Sequence, residues 1–427
     1  MENHRPARVP RAFVVTALLT LAALTFSLPL TATPRLSFER ALALAAERAP
    51  SLEARRSLVE AAQQDAARAD ALPDPRLSVG IDNWPVEGSE AFSFNEDMMT
   101  MKRIGLMQEI PSKAKRDARR ALAERSIDEA RSLQQAASLS VRESTARAWL
   151  SLWAAERELA QLQALREQAQ LAVDTATARL GAATADASEV MAVQAAQLAL
   201  ENRLDAAQAR IGAENAQLAQ WLGEAGIGTA GDAPALDELP IAAARLLSAL
   251  DLQGPLLQWR AREAVAQAEV ALAAASRRPD WSLGAAYGQR AGDRGDMLML
   301  EVSMDLPLFT GNRQDRDVAA RRAELQAVVS EREEARRRQR AQVSGLLAEW
   351  SGLTRQVQRD RQQLLPLVQD RSDTALAGYR GGGALQPWLE ARSDEIEARA
   401  EHARRLGELG RAWAALAYLI DDAELLP

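Results

Sequence analysis

Cysteine is absent from all 427 residues, and histidine occurs only twice. The first absence removes disulfide frameworks, thiolate metal sites and cysteine nucleophiles. His4 lies in the N-terminal leader, so His402 stands alone and a histidine-based metal or acid–base centre has too few members. An excess of basic charge is also missing. The net charge is −7, and without residues 1–32, which hold three Arg and one Glu, it becomes −9. An acidic chain has no electrostatic case for binding nucleic acid. The many carboxylates lie among Arg in helical patterns and read as solvated faces. No enzyme activity, catalytic residue or cofactor is expected.

What is present begins with a leader. Arg5, Arg8 and Arg11 precede the apolar run Ala12 to Leu30 and the small residues Thr31-Ala32-Thr33, the order of a secretory signal peptide over 1–32 cleaved after Ala32. The alternative is an uncleaved membrane anchor.

Two strand pairs interrupt a chain that otherwise reads as long helix. Leu77, Val79 and Ile81 alternate with Arg76, Ser78, Gly80 and Asp82. Trp281, Leu283, Ala285 and Tyr287 alternate with Ser282, Gly284, Ala286 and Gly288. Leu298, Leu300, Val302, Met304 and Leu306 share one face, with Met297, Met299, Glu301, Ser303 and Asp305 on the other. The period is two, so strands are expected at about 76–84, 99–110, 279–289 and 297–306. Segments of this length with one apolar and one polar face fit transmembrane β-strands with lipid outside and water inside; a half-buried soluble sheet fits each strand taken singly.

Helical patterns fill the rest. Ser37 to Ala71 reads as one amphipathic helix, and apolar steps of three and four continue from Lys113 to Leu180. Sixty-eight residues (113–180) at about 1.5 Å each make a rod on the order of 100 Å, longer than any ordinary globular core. Asn312 to Tyr379 predicts a second such rod. Each turns at a small-residue tip, around Gly181 and at Gly381-Gly382-Gly383, and a returning helix follows. Pro73 to Pro279 is displaced by 206, Pro111 to Pro307 by 196 and Leu180 to Tyr379 by 199, which marks one internal duplication. The expected organisation is signal peptide 1–32, first repeat 33–224, linker 225–240 rich in Gly, Ala, Asp and Pro, second repeat 241–421, and tail 422–427.

Four strands are too few to close a barrel in lipid, where a free sheet edge leaves backbone amides unsatisfied. The chain is therefore expected to close its sheet with copies of itself. The fold class is mainly α with a small β part: each repeat reads helix, strand pair, long helix, turn, helix. Three copies would supply a twelve-stranded β-barrel, continued on one side by a long α-helical barrel.

With those marks in view the sequence resembles the TolC-like outer-membrane efflux proteins over nearly all of its exported length. The resemblance rests on the leader, the duplication, Gln108-Glu109-Ile110-Pro111 with Lys113, Lys115 and Arg116 following, the tips Ala178-Arg179-Leu180-Gly181 and Gly378-Tyr379-Arg380-Gly381, and the central linker. Leu72-Pro73-Asp74-Pro75, Asn83-Trp84-Pro85 and the Met-rich approach to Gln108 look most like the heavy-metal branch (cobalt-zinc-cadmium or copper-silver type). The resemblance implies a homotrimer in the outer membrane of a Gram-negative bacterium, most of it periplasmic and its barrel in outer-membrane lipid. It implies a periplasmic adaptor (membrane fusion) protein and an inner-membrane resistance-nodulation-division pump as partners. The implied function is the outer channel of that tripartite system, passing heavy-metal cations from periplasm and pump to the exterior through a gated duct.

The gate and adaptor-contact candidates are Gly181, Ala182, Thr184, Asp186, Glu189, Gly381, Gly382 and Gly383. Simple turn chemistry explains the glycines equally well. Asp186 and Glu189 read either as acidic rings attracting cations or as acids suiting a helix N-terminus. No resident metal site is expected; the candidates for passing metal contact are Met101, Met297 and Met299, since thioethers suit soft ions, although methionine is also a generic filler. The competing readings are a duct for organic drugs or for type I protein secretion, and a periplasmic coiled-coil scaffold without a pore.

Overall fold

The structure is a computed structural model that describes residues 35–290 and 294–421. The leader at 1–32, the tail at 422–427 and residues 291–293 lie outside the described residues.

In chain order, strand β1 (Arg35–Leu36) precedes helices α1 (Phe38–Arg48) and α2 (Pro50–Arg68). A hairpin of β2 (Arg76–Asp82) and β3 (Met101–Ile110) leads into α3 (Lys113–Ala164), α4 (Arg166–Gly181) and the returning α5 (Ala187–Leu222). The short β4 (Gly228–Thr229) pairs in parallel with β1, and α6 (Ala243–Ser248) and α7 (Gly254–Ala275) open the second half. There β5 (Trp281–Arg290) and β6 (Met297–Met304) form the second hairpin. Helix α8 (Gln314–Arg359), a π turn at Asp360–Leu364, α9 (Leu365–Arg380) and the returning α10 (Gln386–Ala417) complete it.

The hairpins join edge to edge in one antiparallel sheet of order β2-β3-β5-β6, which leaves β2 and β6 as its two edges. Ser112 caps α3, its side chain accepting from the Lys115 amide, and Asp280 of the second half accepts from the Ser112 amide at 2.8 Å and pairs with Lys115. The strand-to-rod junction is thus fixed by a carboxylate from the other repeat.

Small residues set how closely the rods pack. Where α3 crosses α10, Trp149, Leu150 and Ala154 meet Ala412, Trp413 and Ala414 in one buried cluster, and the Trp149 indole donates to the Leu36 carbonyl at 3.0 Å. Gly410 permits the approach: a Cβ there would lie 2.9 Å from the Leu150 Cβ, a contact only main-chain movement could relieve.

Both rods are interrupted, contrary to the continuous helices expected over 113–180 and 312–379. At Leu165 the chain takes a tight step in which the amide bonds Leu162 O at 3.1 Å, three residues back. In the second rod the π turn runs directly into Pro366, which lacks an amide hydrogen. The single helix expected over Ser37 to Ala71 likewise divides at Ala49 and Pro50, although Ser37 does cap α1, accepting from the Arg40 amide at 3.3 Å. Among the described residues no helix is long and apolar enough to cross a membrane.

Candidate functional site

The sheet register settles which side chains share a face. Leu77, Leu106, Ala285 and Leu300 form one cross-strand row and Val79, Ile104, Tyr287 and Leu298 the next. Most of this face is apolar yet open to solvent, with Val79 and Leu300 each 77% exposed. The other face carries Ser78, Gly105, Ala286 and Met299 in one row and Gly80, Arg103, Gly288 and Met297 in the next. Apart from Ser78 and Met297 its members are more covered than the apolar ones, and a Cβ on Gly105 would meet Ser78 Oγ at 2.9 Å and Ala286 Cβ at 3.0 Å. This polarity is inverted relative to a soluble sheet: the greasy surface is outside and the small, polar surface converges.

Around Gly288 the structure gathers all three methionines named from sequence. A Cβ at Gly288 would lie 3.4 Å from both Met101 Sδ and Met299 Cε, and Met297 is its partner on β6. Arg103, paired with Asp82 at 2.9 Å, and Arg290 share that face. Among the described residues no three His, Asp or Glu are grouped to hold a metal ion.

The turns of the two repeats meet around Arg179, a residue the sequence reading quoted within a motif but gave no role. Its guanidinium donates to the carbonyls of Tyr379 and Gly383, each at 3.2 Å, lies over the Tyr379 ring at 4.7 Å and pairs with Glu189 at 3.4 Å. Tyr379 is 1% exposed and stacks on Trp388 with centroids 6.4 Å apart. Burial first, and then the Glu189 carboxylate, push the phenol up to about 12. Of the named candidates, Gly181 ends α4 and Ala182 caps it, while Thr184 returns amide and hydroxyl to the Arg179 carbonyl at 2.9 and 3.1 Å. Asp186 is the N-cap of α5, accepting from the Glu189 amide at 3.0 Å, and the hydrogen bond from the Ser188 hydroxyl, followed by that amide, lowers its pKa. Gly381 caps α9, Gly382 has φ +96 and Gly383 supplies a carbonyl to Arg179. Positive φ in the first turn falls on Ala183, at 56°, and not on a glycine.

Further up the rods, α10 reaches both interruptions with charged side chains that sequence gave no means of singling out. Arg392 is 3% exposed and donates to the Leu165 carbonyl at the first break, to Gln168 Oε1 at 2.7 Å and to Glu395 at 3.2 Å. Burial pulls its pKa down and Glu395 opposes the fall. At the second break Asp360, 5% exposed, accepts from Arg405 at 2.6 Å with His402 Nδ1 3.5 Å away.

His402 gives a pH test of this contact. Burial lowers its pKa, Asp360 partly restores it, and Arg361 and Arg405 lower it again. The unfolded imidazole takes its proton near 6.5 and the folded one below that, so the unfolded state binds more protons as the pH falls. The residue's contribution is whole above about pH 6.5 and is lost as the pH drops toward the folded value. We expect the wild type to melt at lower temperature at pH 5.5 than at 7.5, and His402→Gln to narrow that difference, as read by the helical circular dichroism signal.

Comparison with known proteins follows the same geometry. Residues 247–420 match the family model described as outer membrane efflux protein. Over 93% of this chain and 96% of the other, the structure superposes on CusC, crystallised in work on folding and transmembrane channel formation, with TM-score 0.74 and 15% identity. The chain has the fold of the outer-membrane efflux proteins. A membrane protein from Pseudomonas aeruginosa matches with TM-score 0.77 and 17% identity over 91% of both chains. The outer membrane protein VceC from Vibrio cholerae matches with TM-score 0.71 and 17% identity over 90% of this chain and 95% of that one. No curated protein matches the chain in sequence.

Proposed function

We propose that the protein is the outer-membrane duct of a tripartite efflux assembly in a Gram-negative bacterium. One observation carries the reading: a four-stranded sheet, apolar on its exposed face and open at both edges, mounted on rods too long for a globular core. Three copies joined β6 to β2 make twelve strands and leave no edge. The ten residues of β3 span about 33 Å of strand, and a tilt of about 40° gives a wall about 25 Å high, the apolar height of outer-membrane barrels. The rods then prolong the duct into the periplasm, where an adaptor and a resistance-nodulation-division pump would meet it.

No bond chemistry is involved. Passage is governed at the tips, where Arg179 ties the two turns of one chain together and an adaptor that favoured separated turns would shift the duct toward its open state. Gly181, Ala182, Thr184, Asp186, Glu189 and Gly381 to Gly383 are the proposed gate and adaptor surface because they either contact Arg179 or form the turns it joins. Heavy-metal cations are the proposed substrate, on the strength of three methionines on the inner face. The test is fractionation: the protein should float with outer membranes and run as a trimer until heated. Deletion should lower metal tolerance, and replacing Met101, Met297 and Met299 by Leu should lower it while the trimer persists. A soluble monomer would end the duct reading; unchanged metal tolerance on deletion would leave a duct for drugs or secreted protein.

The gate has its own expected result. Arg179→Ala removes the contacts to Tyr379, Gly383 and Glu189 at once, so trimers in planar bilayers should conduct several-fold more than wild type. Equal conductance from intact trimers would remove Arg179 from the gate.

A further inference from the structure

At the end of the sheet away from the rods, the apolar face stops at a row formed by Ile81, Lys102 and Gln289. The loop between β2 and β3 folds over this row. Trp84 stacks on Phe94 with centroids 4.9 Å apart and meets Phe92 edge-on at 5.9 Å. The loop is held in a costly conformation to do so. Asn83 and Phe92 both have positive φ, 56° and 57°, which a bulky aromatic rarely adopts. Thr100, 1% exposed, donates to the Asn83 carbonyl at 2.9 Å, and the Phe92 amide bonds Pro85 O at 2.8 Å. Strain of this kind persists where the surroundings impose it.

Between loop and sheet lies an open cleft of about 830 Å³, lined by Val79, Trp84, Phe94, Lys102, Ile104 and Tyr287 among others. Among the described residues its lining contains two cations and no carboxylate, in a chain whose net charge is −7. Arg103 is spoken for by Asp82 on the inner face. Lys102 points with the apolar residues, and the partner the structure gives its ammonium is a neutral amide oxygen, Asn95 Oδ1 at 3.3 Å. On the apolar side Asp296 is engaged by Tyr287, whose hydroxyl it accepts from. A cation at the rim of an apolar wall, roofed by an aromatic stack, has the layout of a site at the level of lipid headgroups.

We propose that this cleft holds a phosphate-bearing lipid of the outer leaflet, its phosphate on Lys102 and an acyl chain along Val79, Ile104 and Tyr287. The inference rests on the outer-membrane reading and adds a ligand class to it. The aromatic roof supplies rigid apolar area at little entropic cost, and the ammonium supplies the preference for negative charge.

Purified trimer in vesicles tests it. Brominated lipid quenches tryptophan on contact, and the signal at the cleft is the part lost in Trp84→Phe. Brominated phosphatidylglycerol should quench that part about fivefold more effectively than brominated phosphatidylcholine, the discrimination that one interfacial cation supplies. Lys102→Gln should erase the preference and Lys102→Arg should retain it, both with the heat-resistant trimer intact. Equal quenching by the two lipids, or a preference unchanged in Lys102→Gln, overturns the proposal. So does displacement of the lipid by millimolar inorganic phosphate, which would mark a simple anion site. Failure of the protein to enter vesicles at all would overturn the duct reading with it, whereas insertion without lipid preference would overturn this inference alone.

Discussion

Leu300→Arg should abolish the heat-resistant trimer in the outer membrane, whereas the next residue changed in the same way, Glu301→Arg, should leave it in place. The two positions are adjacent on β6 and differ in the face they occupy. Leu300 stands 77% exposed at the end of the row Leu77, Leu106 and Ala285, with further apolar rows above and below it. Glu301 stands opposite Gly284 on the small, polar face. An Arg near the mid-plane of a membrane barrel's lipid face costs about 2–4 kcal/mol, and a trimer carries three copies, so the summed cost is roughly 6–12 kcal/mol. That is of the size of a whole domain's stability, about 5–15 kcal/mol. An inward-facing Arg meets water and has no such penalty. The measurement is the unheated gel mobility and outer-membrane yield of each variant. Equal behaviour of the two would mean that the exposed face does not meet lipid, and the duct reading would fall with it.

The contrast works because the strands were legible. A period of two puts Leu298, Leu300 and Val302 on one face whatever the fold around them, and the register then only confirms which rows align. The rods were legible as helix for the same kind of reason, since steps of three and four residues repeat along them. Their interruptions were not, and for two different reasons. Pro366 was a visible signal inside the second rod, passed over because the helical pattern is strong on either side of it. The step at Leu165 has no proline or glycine beside it; its visible partner is Arg392, 227 residues away in sequence. Nothing local could announce it. The tips divide similarly. Glycine at 381 to 383 and the small residues after Gly181 mark turns by themselves, but Arg179 matters because the other repeat's turn lies against it, and that depends on how the two hairpins pack. The one advance signal was the duplication, which places Arg179 and Tyr379 at corresponding points just before each turn.

Glu395→Ala should be the most damaging single change in the helical part, lowering stability by about 3–5 kcal/mol. Glu395 is 1% exposed and is the shared partner of two guanidinium groups, Arg392 at 3.2 Å and Arg399 at 2.7 Å. Deleting it leaves Arg392 buried with a carbonyl, an amide oxygen and, of the acids that act on it, only Asp373, which makes no ion pair with it. The lost attraction is the smaller part of that cost; the larger is a cation that water can no longer reach. The double replacement Arg392→Leu with Glu395→Leu removes both charges together and should recover most of the loss, because the cost of a buried ion pair is chiefly desolvation. The double variant then separates stability from the role of the contact. Arg392 is the link between α10 and the step at Leu165, so a well-folded trimer without it should exchange its amide hydrogens faster around residues 160–170 than wild type while its melting temperature stays close. If Glu395→Ala melts like wild type, the cluster is wetter than the structure shows. If the double variant protects the 160–170 segment as well as wild type does, Arg392 merely fills space at the step and the rods bend, if they bend, somewhere else.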